Sequence, residues 1–300
     1  MRRVPFVCAV LLAACGGNWS NQDIEFVNAL PAKADLASKL PVDGSQSGLG
    51  GEPSKAYTDT RKASNDFNGL LDRILGLAEL VRQVPPTRRE ANRRTWGPFP
   101  DEKHPGVEAR IVMTKIDEET FLFVIEARPQ TQSAWTALLT GNLRSAAQLT
   151  KGRGHIELSF RAGRSIGIDD PQSAALDTLE IDYLTDLNPL RVEMLFTFAS
   201  GNEQNLSSVG YTYRENADRS GSIRFQGKGT HPDVLEMLVT SKWLSSGAGR
   251  ADVEVLQGNF AGATAVECWD TAFNVTHAYQ SWPGGVEVGL ASDCVTVAGL

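Results

Sequence analysis

Val107-Glu108-Ala109-Arg110-Ile111-Val112-Met113-Thr114, followed by Phe121-Leu122-Phe123-Val124-Ile125-Glu126-Ala127-Arg128, is the stretch that decides the fold. Val107, Ala109, Ile111 and Met113 alternate with Glu108, Arg110 and Thr114, and Phe121, Phe123, Ile125 and Ala127 repeat the pattern. A period of two places apolar side chains on one face of a strand and polar ones on the other. Asp117-Glu118-Glu119 between the two runs supplies a turn, so together they read as a β-hairpin.

The same period continues towards the C-terminus. It passes through Trp135–Leu139, Ile156–Phe160, Leu179–Tyr183, Val192–Phe198, Tyr211–Tyr213, Ile223–Phe225, Leu235–Val239, Val253–Val255 and Val266–Cys268. Turn-rich segments such as Gly152-Arg153-Gly154 and Asp218-Arg219-Ser220-Gly221 separate them. That makes about eleven strands with short connections and no clear intervening helix. The expected fold is mainly β, an antiparallel meander forming a barrel or a strongly curved sheet. No repeat of about 20–50 residues with a recurring signature stands out.

Towards the N-terminus the period changes from two to 3.6. Phe67, Leu70, Leu71, Ile74, Leu75, Ala78, Leu80 and Val81 predict an amphipathic helix over about Thr58 to Val84, ended by Pro85-Pro86. Its apolar face is too broad for water, so it is expected to pack on the concave side of the sheet. Arg88 to Pro105 reads as turn-rich. Residues 15–55 read as a flexible tether with one weak helical patch at Ile24, Val27 and Leu30, leaving 56–300 as a single helix-plus-β domain.

Residues 1–14 carry Arg2 and Arg3 ahead of a short apolar run, the pattern of a secretory signal. The run is too short to span a bilayer, which takes about 20 apolar residues. It ends in Leu12-Ala13-Ala14-Cys15. These four residues resemble the lipobox of bacterial lipoproteins, which implies acylation of Cys15 and attachment to a membrane. Gly16, by analogy with the enteric sorting code, points to the outer membrane. Lipobox, linker, helix ending in Pro85-Pro86, Trp96-Gly97-Pro98 and a long β meander are together similar to uncharacterised envelope lipoproteins. A helix on a curved antiparallel sheet more distantly resembles periplasmic lipoprotein carriers and lipid-binding folds. Only Cys15 acquires a role from these resemblances.

The chain has 29 Lys and Arg against 36 Asp and Glu, and losing Arg2 and Arg3 with the leader makes it more acidic still. That balance argues against nucleic acid as a partner. Cys268 and Cys294 are the pair left once Cys8 is removed and Cys15 is lipidated, and in an oxidising compartment they are expected to form a disulfide.

The candidates for chemistry are sparse. Gly163-Arg164-Ser165-Ile166-Gly167 has the letters of a nucleophile elbow but not its strand-to-helix setting, and reads as a loop. His104, His155, His231 and His277 lie on separate elements without metal-ligand spacing. Asp169, Asp170, Asp177, Glu180, Asp182 and Asp186 form the densest carboxylate cluster, but their spacing matches no EF-hand loop. Trp96, Trp135, Trp243, Trp269 and Trp282 are candidates to line a groove. No catalytic residue, metal or cofactor is expected. The leading expectation is a lipid-anchored envelope protein that binds an apolar, lipid-like ligand or another envelope component. An envelope hydrolase using Ser165 and a purely structural lipoprotein are the alternatives.

Overall fold

The computed structural model describes residues 19–41, 51–146, 151–169, 171–200, 205–229, 235–285 and 287–297. Among these residues three helices precede the sheet: α1 (Asn21–Ala29), α2 (Lys33–Leu36) and α3 (Lys55–Gln83). The sheet opens with β1 (Arg88–Glu90), β2 (Arg93–Pro100), β3 (Val107–Lys115), β4 (Thr120–Pro129), β5 (Thr136–Ser145) and β6 (Gly152–Ser159). A short helix α4 (Phe160–Ser165) leads to β7 (Leu176–Leu184), β8 (Leu190–Phe198), β9 (Leu206–Glu215), β10 (Gly221–Gly229) and β11 (Leu235–Trp243). The chain ends in β12 (Gly249–Gln257), β13 (Thr264–Trp269), β14 (Val275–Gln280) and β15 (Val288–Gly289).

The fifteen strands form one antiparallel sheet in strict sequence order. β1 and β15 do not pair, so the sheet is open; of the two expected forms, a barrel or a strongly curved sheet, the barrel does not form. The strands beyond the expected eleven lie at its two ends. β2 was hidden by Gly97-Pro98, a pair that speaks against a strand interior. A register shift between Trp96 and Phe99 accommodates it.

The tether reading fails for residues 19–41. Ser20 caps α1 in a reciprocal capping box with Asp23. Phe26, Leu30 and Leu36 are buried in the main core, because here a few large apolar side chains meet a ready-made surface. Asp23 is 0 % exposed. Its carboxylate accepts hydrogen bonds from Arg94 Nε at 2.6 Å, Arg89 Nε at 3.0 Å and the Ser20 N–H at 2.9 Å. Burial pulls its pKa upward, but the Ser20 N–H and the two guanidiniums outweigh that and hold it down at about 2. A lowered folded-state value means that the stabilisation is present above the ordinary value of 3.8 and is lost as pH falls towards about 2. It amounts to on the order of 2 kcal/mol. Urea unfolding of the protein and of Asp23→Asn should therefore converge in stability between neutral pH and about pH 2; parallel profiles would contradict this.

α3 crosses the sheet from β13 to β2. At its start, Ser54 Oγ accepts the Tyr57 N–H, and Glu267 of β13 accepts from Ser54 Oγ at 2.6 Å and the Ala56 N–H at 2.8 Å. A carboxylate there also suits the helix dipole. Tyr57 stacks on Phe273, their ring centroids 4.1 Å apart. Beyond its end, Trp96 Nε1 of β2 donates to the Val84 carbonyl at 2.9 Å. A helix of 29 residues is about 43 Å long. Strands β2 to β13 laid flat would span about 53 Å at the usual spacing. Strands as far apart in order as β4 and β10 line one cavity with α3, which places the sheet curved around the helix.

Glycines opposite aromatic rings support the bend. Gly221 pairs with Trp243, Gly249 with Trp269 and Gly154 with Tyr183. In each pair the ring lies where a Cβ on the glycine would stand. In two hairpins the indole also donates to the carbonyl two residues before the glycine, Trp243 to Arg219 at 3.2 Å and Trp269 to Gly247 at 2.9 Å. Both acceptors have positive φ, so the same device recurs without a repeat in the letters. Cys268 and Cys294 lie at disulfide distance, with Cα atoms 5.3 Å apart, and tie the C-terminal segment to β13.

The convex face carries charge ladders. Glu108 pairs with Arg128 and Arg110 with Glu126 across β3 and β4. Trp135 sits by both guanidiniums at 4.2 and 4.3 Å. Such pairs contribute roughly 0.2–1 kcal/mol each and keep this face wet. Among the described residues, no helix is long and apolar enough to cross a membrane.

Candidate ligand groove

The two flanks of α3 are treated differently. On one flank, residues 30–41 pack against the helix. The Ser38 N–H donates to Asn68 Oδ1 and Asn68 Nδ2 donates back to the Ser38 carbonyl, each at 2.9 Å. Ser38 Oγ and Ser64 Oγ share a hydrogen bond, and Tyr57 OH donates to the Pro41 carbonyl. Tyr213 OH accepts the Lys39 N–H at 2.9 Å and donates to Glu215. Burial pushes the Tyr213 phenol above its ordinary value, reinforced by Glu215, so it stays a neutral donor.

On the opposite flank Ala56, Thr60, Ala63, Phe67, Leu70 and Ile74 line two cavities, while Thr60 Oγ1 and Ser241 Oγ of β11 share a hydrogen bond at 2.6 Å and Phe67 and Ile74 are themselves largely buried. A cavity of about 580 Å³ lies between Ala63–Ile74 and strands β4 to β10. Leu138, Leu158, Phe196, Phe198, Val209 and Phe225 line its sheet side. A second cavity of about 380 Å³ lies between Lys55–Ala63 and strands β10 to β14. The floor of the first is an aromatic series in which Phe67 stacks on Tyr211 at 4.6 Å and Tyr211 meets Phe225 edge-on at 5.2 Å. Burial also raises the Tyr211 phenol, which therefore adds no charge. Phe196, Phe198 and Leu158 are only half-buried although they lie on the concave side. Asp66 and Ser173 in the larger cavity, and Lys55, Asp59, Glu267 and Gln280 in the smaller, supply the polar groups. Lys55 pairs with Asp59, and Glu267 is engaged by the start of α3. The groove can thus desolvate a long apolar group and offers little to recognise a strong charge.

The residues singled out in the sequence do not converge. Cys15, Asp170 and His231 lie outside the described residues. Ser165 ends helix α4 rather than occupying a loop; its hydroxyl is exposed and donates to the Ala162 carbonyl at 2.7 Å. None of the described histidines hydrogen-bonds to it: His104 bonds Asp101, His155 bonds Asp182, and His277 is buried beside β13. Asp177 is held by Arg161 and Arg164, and Asp186 by Arg153, so these carboxylates serve ion pairs. Among the described residues no group of three or more His, Cys, Asp or Glu could hold a metal ion. Of the five tryptophans considered, Trp96, Trp243 and Trp269 are core, Trp135 is convex, and Trp282 lines the smaller cavity.

Leu158, Phe196, Phe198 and Phe225 were legible as strand residues but not as a site, and Val209 lies just before the predicted strand Tyr211–Tyr213. The one available signal was Phe196-Thr197-Phe198 continuing an apolar face to the very end of a strand. The chain matches no family model, no curated protein and no solved structure.

Proposed function

We propose that this protein is a lipid-anchored envelope lipoprotein that binds an acyl-chain-bearing ligand non-catalytically in the groove beside α3. The observation that carries the reading is the cavity of about 580 Å³ with its apolar walls, continued by a second of about 380 Å³. These volumes fall in the range of small-molecule sites, roughly 300–1,000 Å³. A helix–sheet contact made only for stability would close to the packing density of a protein interior. Here, among the described residues, space remains between one flank of the helix and the sheet, while the other flank is closed by residues 30–41. The anchor is a separate part of the proposal and rests on Leu12-Ala13-Ala14-Cys15. Acyl chains on Cys15 would contribute roughly 0.8 kcal/mol per buried CH₂, enough for a multiply acylated protein to stay in the outer membrane.

Native mass spectrometry of the exported protein should show adducts with lipid masses, and a fluorescent fatty acid should bind after delipidation. Leu158→Glu places a carboxylate on the wall of the larger cavity. It should weaken fatty-acid binding by at least about tenfold with little change in melting temperature, because Leu158 is only half-buried. Unchanged binding by that variant, or no binding by the protein itself, contradicts the reading. For the anchor, Cys15→Ser should move the protein out of the detergent phase; unchanged partitioning excludes acylation at Cys15.

A further inference from the structure

We infer that the two cavities are one channel for a single long acyl chain, and that the waist formed by Ala63 and Phe225 sets the chain lengths it accepts. The inference rests on the ligand reading above and names the substrate class of the same groove. Ala63 and Phe225 line both cavities. The larger follows α3 from Ala63 to Ile74 and the smaller from Lys55 to Ala63. Joined, they run along about 28 Å of helix, room for a long-chain lipid tail and far more than a short-chain acid needs.

The second observation is how the smaller cavity is made. Ala56, Thr60 and Ala63 on the helix face Ala251, Ala265 and Ala278 on β12, β13 and β14. Beside Val239 and Val253, these small side chains leave space that larger ones would fill in a closed contact. Beyond the waist the helix turns to Phe67, Leu70 and Ile74, and the sheet to Phe196 and Phe225. The Phe225 ring is held edge-on to Tyr211, so the waist is narrowed from the sheet side by a fixed ring and left open on the helix side by a methyl group. A chain short enough for the larger cavity never passes the waist, whereas a long one must.

The test uses the full chain and displacement of bound anilinonaphthalene sulfonate by octanoate and by stearate. The protein should prefer stearate. Ala63→Phe should weaken stearate by at least about tenfold, since several CH₂ groups lose their place. Octanoate should stay within about threefold of the parent, a difference under 1 kcal/mol. Ala265→Leu fills the smaller cavity from the sheet side, and should give the same selective loss if Ala63→Phe fails to fold by circular dichroism. Stearate binding unchanged in a folded Ala63→Phe or Ala265→Leu variant overturns the channel while leaving the ligand reading standing. Failure of the parent protein to bind either acid overturns both.

Discussion

Leu71→Asp is expected to unfold the domain or to remove most of its stability. Leu71 is 0 % exposed at the middle of α3 and belongs to the main core with Phe67, Ile74, Leu75 and Val81. Truncating such a residue to Ala already costs about 2–5 kcal/mol through lost burial and the cavity left behind. An aspartate adds a carboxylate among the apolar side chains of that core. Leaving a charge buried and unpaired costs about 3–5 kcal/mol, close to the whole stability of an ordinary domain. The helix is pinned at both ends, by Glu267 and by Trp96, so it cannot easily rotate to expose the new charge. Circular dichroism melts of the parent, Leu71→Ala and Leu71→Asp should show a graded loss. A Leu71→Asp protein that melts like the parent would mean that α3 is not packed on the sheet, and the groove beside it would lose its wall.

Gly249→Ala should destabilise by about 3 kcal/mol or more, at the upper end of overpacking effects. A Cβ at Gly249 would stand 2.4 Å from the Lys242 carbonyl oxygen and 2.5 Å from Trp269 Cζ2. Neither neighbour can yield easily. The carbonyl belongs to the paired strand β11, and the indole is buried, bonded to the Gly247 carbonyl and packed by Tyr57. Gly210→Ala provides the contrast, because the nearest atom to its Cβ is 3.9 Å away on Gln226. That change should be neutral or slightly stabilising, by less than about 1 kcal/mol, as the unfolded chain loses freedom. Equal melting temperatures for the two variants would remove the glycine–aromatic pairs as the support for the bend.

Much of the sheet was legible because alternation is a local property. Val107 to Ala127 announces two strands, and the same logic locates the strands as far as Cys268. Closure was not legible, since it depends on whether the first and last strands meet. In the structure these are β1, three charged residues, and β15, two residues, and neither offers the other an apolar edge. Residues 21–36 were misjudged for a different reason. Phe26, Leu30 and Leu36 are too few to advertise a packed segment, and Asp23 looks like solvent-facing charge until Arg89 and Arg94 are brought beside it by the fold. The groove was the least legible feature. Leu158, Phe196, Val209 and Phe225 have the same alternating signature as Ile156, Met194 and Ile223, which are buried core. What separates them is that, among the described residues, they border the space beside α3, and that is a fact of three dimensions. The tryptophans misled in the same way: indoles that fill the bend and indoles that line a cavity have one composition.

The central claim is that the flank of α3 facing β4 to β14 is built to hold an apolar chain. A crystal structure of the delipidated protein soaked with stearate brominated at mid-chain tests it most directly, because bromine is located by its anomalous scattering without reference to the rest of the ligand. A bromine site is expected between α3 and the sheet, within van der Waals contact of Phe225 and Ala63. Bromine found only on the convex face, or nowhere although the acid binds in solution, would contradict it.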